Sequence, residues 1–328
     1  MKLLLLSKSE IEQLLGMSTC IDLMAEALVS LARGEVILPL RPILRIPDSK
    51  NVFGLMPAYS KPLRAIGTKL ISVFPDNHGT QRDSHQGIVV LFDGANGSPL
   101  AIMDAASITA IRTAAVSGVA TRLLARQDAS TLAILGSGVQ AHTHIEAMLA
   151  VRPFRKVMIW SRNTEHARAL ASRAAKKRAA DFEVTADART AVRDADVICT
   201  VTASREPVLC GAWLRLGTHI NAVGASLPTA RELDTEAIRR ARVFVDRRES
   251  ALNEAGDLLI PMQEGAISAD HIESEIGALL SAHNVGRPNG DDDITVFKSL
   301  GLAIEDLAAA HYLHDRAARE SAGTWVEL

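Results

Sequence analysis

At 328 residues the chain is too long for one nucleotide-binding unit, and its 48% apolar content suffices for two cores, so two domains are expected. A formal net charge of −2 provides no basic field, which argues against a nucleic-acid partner. Cys20, Cys199 and Cys210 lack metal-ligand spacing and read as buried thiols in a reducing compartment. The four leucines from Leu3 to Leu6 are too short a run for a signal peptide, and no segment approaches membrane length; the expected location is cytoplasmic, with no membrane partner and no metal.

Residues 9–32 carry apolar positions at helical spacing and predict two amphipathic helices, capped by Ser9 and by Ser18 or Thr19. Strand-like runs follow at residues 43–46, 52–56, 65–73 and 87–92. Asp93-Gly94-Ala95-Asn96-Gly97 is hairpin chemistry leading into another strand at 99–103. A small-residue helix at 105–125 then carries the chain onward. These elements form an α+β unit over residues 1–125, with 302–328 packing back onto it.

Within this unit three cations interrupt apolar segments. Lys69 lies mid-strand, Arg112 lies in an alanine-rich helix, and Arg41 stands beside Pro42. A buried charge without a partner is costly, so each needs an anion. For any one of them a structural salt bridge or a snorkelling surface position serves as well. Together they suit a clamp for a substrate carboxylate.

Residues 126–301 have a different pattern. An apolar strand ending at Leu135 runs into Gly136-Ser137-Gly138-Val139-Gln140-Ala141, a glycine-rich turn that opens a helix. Gly136 permits the turn, Gly138 lets backbone N–H groups approach a pyrophosphate, and Ala141 keeps the helix near the sheet. Further strands are expected at 156–160, 182–185, 196–202, 219–224 and 242–246, giving six in a doubly wound parallel sheet. Asn163 or Thr164 caps the second crossover helix. The second strand ends in Ser161-Arg162 rather than in a carboxylate for a ribose 2′-hydroxyl. A hydroxyl followed by a guanidinium suits a 2′-phosphate, so NADP(H) is favoured over NAD(H); the competing reading leaves Arg162 as a solvated surface residue.

Several segments carry a family resemblance: Arg41, Met56-Pro57-Ala58-Tyr59, Lys69-Leu70, the Ser84-His85-Gln86-Gly87 turn, and Ile108-Thr109-Ala110-Ile111-Arg112-Thr113. So do the glycine-rich turn, Gly224-Ala225-Ser226-Leu227-Pro228, Arg231-Glu232-Leu233-Asp234 and Asp292-Asp293-Ile294-Thr295-Val296-Phe297-Lys298-Ser299. In order and along almost the whole chain, this set resembles the ornithine cyclodeaminase/mu-crystallin family. The resemblance implies a Rossmann domain joined to an N-terminal substrate-binding and dimerisation domain completed by the C-terminal helix, in a homodimer.

It further implies that Arg41, Lys69 and Arg112 bind a carboxylate, with Arg45 close enough to compete with Arg41. Gly136, Gly138, Val139 and Gln140 match the pyrophosphate loop, and Ser161 and Arg162 match the adenosine ribose site. Thr200, Val201, Thr202 and Ser226 match strand ends facing the nicotinamide. Cyclodeaminases of this family carry an aspartate as general base where this chain has Ser226. Serine is a poor base, which favours reduction over deamination.

The resulting expectation is NAD(P)H-dependent reduction of a small imino acid, such as pyrroline-2-carboxylate or piperideine-2-carboxylate, to an L-amino acid. Lys69, or water held by His85 or Ser226, supplies the proton. Ornithine cyclodeamination, activity like that of alanine dehydrogenase or iminosuccinate reductase, and NADPH binding without turnover are the alternatives.

Overall fold

The computed structural model describes residues 2–77, 80–176, 179–282 and 290–327. Two compact units form: Met1–Arg112 with Gly301–Leu328, and Thr113–Leu300. The expected boundary after residue 125 falls instead inside the Ala105–Leu124 helix. The reason lies in its second half, where the Ser117 hydroxyl pairs with the His144 ring and the Thr121 hydroxyl accepts from Asn221.

The first unit is built on a sheet in the spatial order Thr324–Glu327, Lys2–Leu6, Pro99–Asp104, His85–Asp93, Ala65–Val73, Val52–Ser60, Val36–Ile37, with Ile43–Arg45 also pairing Val52–Ser60. All pairings are antiparallel except that of Lys2–Leu6 with Pro99–Asp104. Side chains alternate across a strand. Ala65, Gly67 and Lys69 therefore share one face, which the Ala303–Glu320 helix covers. A Cβ at Gly67 would come within 2.8 Å of Leu307, so this position holds the helix close. On the opposite face Ile66 and Ile88 remain exposed.

The leucine run, for which the sequence predicts no element, is a sheet strand, and His85 opens a strand rather than lying in the expected turn. The two N-terminal helices, Lys8–Leu14 and Met17–Ala32, start after Ser7 and Gly16 rather than at Ser9 and Ser18 or Thr19. Ser7 wins because Glu10 stands three residues on, where its carboxylate accepts from the Ser7 backbone N–H at 2.8 Å in a capping box. Among the described residues no single helix is long and apolar enough to cross a membrane. The one bent pair that passes by length and composition is these two helices, broken by 84°, and Ile11, Ile21, Met24 and Leu28 are buried in the fold.

The second unit is a parallel sheet in the order Asp181–Thr185, Lys156–Trp160, Thr131–Leu135, Val197–Thr200, His219–Ala222, Thr295–Lys298, Arg242–Val245, Ile272–Glu275. Eight strands stand where six were expected. Ile272–Glu275 escapes a hydrophobic pattern because three of its four residues are polar, and Thr295–Lys298 because it is short and ends in a charge. The chain runs outward in one direction from Thr131–Leu135 and then resumes on its other side at Val197–Thr200. That reversal is a topological switch point, where α/β sheets bind ligands beyond the carboxyl ends of their strands. Cys20 and Cys199 are buried as expected, but Cys210 is only half-buried; all three thiols are free.

Candidate functional site

In the second unit the glycine-rich turn lies at the switch point. Gly136 has φ +135°, and a Cβ there would stand 2.6 Å from the Val201 carbonyl oxygen, so only glycine lets the turn pack against the next strand's end. Gly138 precedes the Val139–Val151 helix in extended conformation, and a Cβ on it would meet no protein atom within 4 Å. The space over this helix N-terminus is open, Val139 is 69% exposed beside it, and the helix's first N–H groups have no intrahelical acceptor. These features fit a pyrophosphate.

Ser161 closes the turn from the neighbouring strand, its hydroxyl 2.8 Å from that of Ser137. Arg162 is exposed beside it, and Asn163 caps the Thr164–Ala175 helix by accepting from Glu165 and His166. Thr200 is buried, with no hydrogen-bond partner for its hydroxyl among the described residues. Thr202 donates from both backbone and hydroxyl to Glu232, while Ser226 is exposed after the His219–Ala222 strand. A parallel sheet with this turn at its switch point defines a dinucleotide-binding unit.

In the first unit the buried cations have protein partners. Lys69 Nζ lies 2.8 Å from Asp306 Oδ2 and donates to the Thr109 hydroxyl at 3.3 Å. Arg112 donates through Nη1 to Glu305 at 2.5 Å and through Nε to Asp306 Oδ1 at 2.9 Å. All four side chains are at most 3% exposed. Sequence reasoning missed both acids, whose only local signal is their place in the first turn of the Ala303–Glu320 helix. Gly301, at φ +77°, turns the chain into that helix, and any Cβ there would collide with the Arg112 guanidinium.

The electrostatics follow from this packing. Burial, only partly offset by Asp306, pushes the Lys69 ammonium down to about 8, and the charges of Arg112 and Arg41 add to the fall. Burial also opposes ionisation of Asp306, but Arg112 and Lys69 outweigh it and hold the carboxyl below its usual range. His85, whose Nδ1 is 3.0 Å from the Ser84 hydroxyl, is held below the usual imidazole range by burial and then by Lys69. The structure thus brings Arg41, Arg112 and His85 within electrostatic reach of Lys69, while Arg45 is exposed on the Ile43–Arg45 strand.

Sequence comparison agrees with this architecture. The profile of the ornithine cyclodeaminase/mu-crystallin family matches residues 1–321. The chain is 39% identical over 327 residues to a Delta(1)-pyrroline-2-carboxylate reductase of Bacillus cereus, covering 99% of this chain and all of the relative. It is 44% identical over 282 residues to the ketimine reductase mu-crystallin of Mus musculus, covering 86% of each. Among solved structures, the Delta(1)-pyrroline-2-carboxylate reductase of Thermococcus litoralis, in complex with NADH and L-proline, superposes with a TM-score of 0.95 at 38% identity, covering 98% of this chain and 99% of the other. The chain belongs to the ornithine cyclodeaminase/mu-crystallin family.

Proposed function

We propose that this protein is an NADPH-dependent reductase of small cyclic imino acids in which the C=N bond adjoins a carboxylate. The observation that carries the reading is the buried Lys69 ammonium, about 8 in pKa, set among arginines in a family whose similar members are imine reductases. Lysine offers three donors and arginine five. Asp306 and Thr109 take two from Lys69, and Glu305 and Asp306 take two from Arg112, so donors remain for a substrate carboxylate. The two acids hold the cations in place, and Arg41 adds positive charge for the incoming anion.

Reduced nicotinamide, when bound, would supply a hydride to the imine carbon. Lys69 gives the accompanying proton to the imine nitrogen, and water returns one to Lys69 afterwards. A donor with a pKa near the working pH suits this transfer. Ser226, exposed and neutral, provides no base for deamination. Preference for the phosphorylated cofactor rests on the absence of a carboxylate after Trp160 and on the exposed Arg162 guanidinium. The Thermococcus litoralis relative was solved in complex with NADH, so the preference stands on this chain's own residues. A second copy is the proposed cover for the sheet face bearing Ile66 and Ile88, and the three free thiols suit the cytoplasm.

The deciding experiment gives purified protein NADPH with pyrroline-2-carboxylate or piperideine-2-carboxylate, and separately L-ornithine with NAD or NADP. Imine-dependent oxidation of NADPH without ammonia release from ornithine is expected. Ammonia and proline formation with no imine reduction would replace the reductase by a cyclodeaminase.

A further inference from the structure

We infer that Glu232 is a positioning residue for the nicotinamide half of the dinucleotide, fixing the ends of two adjacent strands, and that Asp257 with Lys298 fixes Glu232 itself. The inference rests on reading the second unit as the dinucleotide site.

Glu232 is fully buried. Its Oε1 accepts from the Thr202 backbone N–H and hydroxyl, each at 2.6 Å, and its Oε2 accepts from the Gly224 N–H at 2.7 Å. Thr202 lies just beyond the Val197–Thr200 strand, and Gly224 just beyond His219–Ala222. These strands are neighbours, with Thr200 opposite Ala222. Past the last ladder pair the Val223 and Gly224 N–H groups still reach the Thr200 carbonyl at 3.0 and 3.1 Å, and the Glu232 carboxylate adds the tie that carries the order on to Thr202, bridging both segments. Gly224 makes this possible, because a Cβ there would stand 2.6 Å from Glu232 Oε1.

A second carboxylate anchors the first. Asp257 Oδ1 accepts from the backbone N–H groups of Glu232 and Leu233 at 2.8 and 3.0 Å, and its Oδ2 lies 2.9 Å from Lys298 Nζ. Lys298 also donates to the Ala225 carbonyl at 2.5 Å, next to Ser226. Lys298 ends the third strand of the row, opposite Ala222. The ends of three consecutive strands are therefore tied by one buried chain of side chains. Burial and then the charge of Asp257 push the Glu232 carboxyl up, so the arrangement is costly as a means of stability alone. Apolar side chains would fill the same volume without directing the Thr202 and Gly224 N–H groups.

The test separates the two halves of the cofactor. Glu232→Gln keeps the shape but turns an amide N–H against a backbone N–H, removing the carboxylate's tie to one of the two segments. Dissociation constants are measured for NADPH against adenosine 2′,5′-bisphosphate, and for NADH against AMP, together with kcat and KM for a cyclic imino acid. The whole dinucleotide should bind about tenfold more weakly, as for one lost charge-assisted bond, and kcat should fall with it, while the adenosine fragments bind within about twofold of the unmodified protein. Equal weakening of dinucleotide and fragment, or no change in either, would overturn the inference. Should Glu232→Gln fail to fold, Asp257→Asn weakens the anchor of Glu232 and touches neither strand end; the same split between dinucleotide and fragment is required of it. An unmodified protein that binds neither dinucleotide would remove the underlying reading as well, which is a different result from a variant without the split.

Discussion

In the first unit the buried cations Lys69 and Arg112 are met by the side chains of Glu305 and Asp306, two charges against two. In the second, Glu232 and Asp257 are met mainly by backbone N–H groups, with Lys298 as the one ammonium. The difference separates two uses of buried charge. Cations paired to side chains keep donors that a substrate can use, and their partners set how readily they release a proton. Carboxylates paired to backbone spend their lone pairs on the main chain and thereby fix its course. Chemistry is expected to fail when the first group is altered, and cofactor placement when the second is.

The largest effect should come from unbalancing the first group. Arg112→Met leaves Glu305 and Asp306 buried with only Lys69 between them, and stability should drop by about 3–5 kcal/mol, the range for a broken buried pair. Urea unfolding measures it; a loss below about 1 kcal/mol would mean that the acids find other partners or take up protons at little cost.

Lys69→Met removes the proton donor with little change of volume. The kcat/KM for the imino acid should fall by about 10²–10⁴, the range for a lost general acid, with NADPH affinity unchanged. A parallel loss of NADPH affinity would show that the two groups are not separable in function.

Arg162→Ala touches neither buried group and tests the cofactor site directly. NADPH binding should weaken by about 1.5–3 kcal/mol, the range for hydrogen bonds to a charged group, while NADH binding is unaffected. If both cofactors bind the unmodified protein equally, Arg162 is a solvated surface residue.

The smallest expected effect is a displacement along the pH axis. Lys69 must be protonated to donate, and burial places its pKa at about 8, so kcat/KM should hold below that pH and decline above it. Asp306 favours the charged form of Lys69, whereas Arg112 and Arg41 disfavour it; His85 and Thr109 also face the ammonium. Asp306→Asn should therefore move the declining limb to lower pH, by about one unit or more for a lost close counter-charge. A limb that stays in place would assign the proton to another donor.

The sheet of the second unit could be read from the sequence because its strands are continuous apolar runs between glycine-rich and polar turns, as strands buried on both faces require. Ile272–Glu275 could not, since a polar edge strand has no such run. The first helix is capped by Ser7, two residues before the expected Ser9, although the Ser7 to Glu10 spacing of a capping box stands in the sequence. Lys69 and Arg112 stood out as charges in apolar surroundings. Lys298 and Glu232 carry the same kind of signal, but a single charge in a short segment does not say which loop it will reach.

By itself the sequence determined the order of the apolar strands and of the helices between them, the glycine-rich turn that opens a helix, the lack of a carboxylate after Trp160, and the cations that needed anions. These depend on near neighbours along the chain, where periodicity and covalent geometry act directly. The tertiary structure decided the partners. Arg112 reaches acids 193 and 194 residues away, and Glu232 reaches Thr202 across 30. With 38 acidic residues available, local pattern cannot choose among them; close packing chooses, because a buried charge is tolerated only where the folded chain brings its counter-charge or its donors within bonding distance.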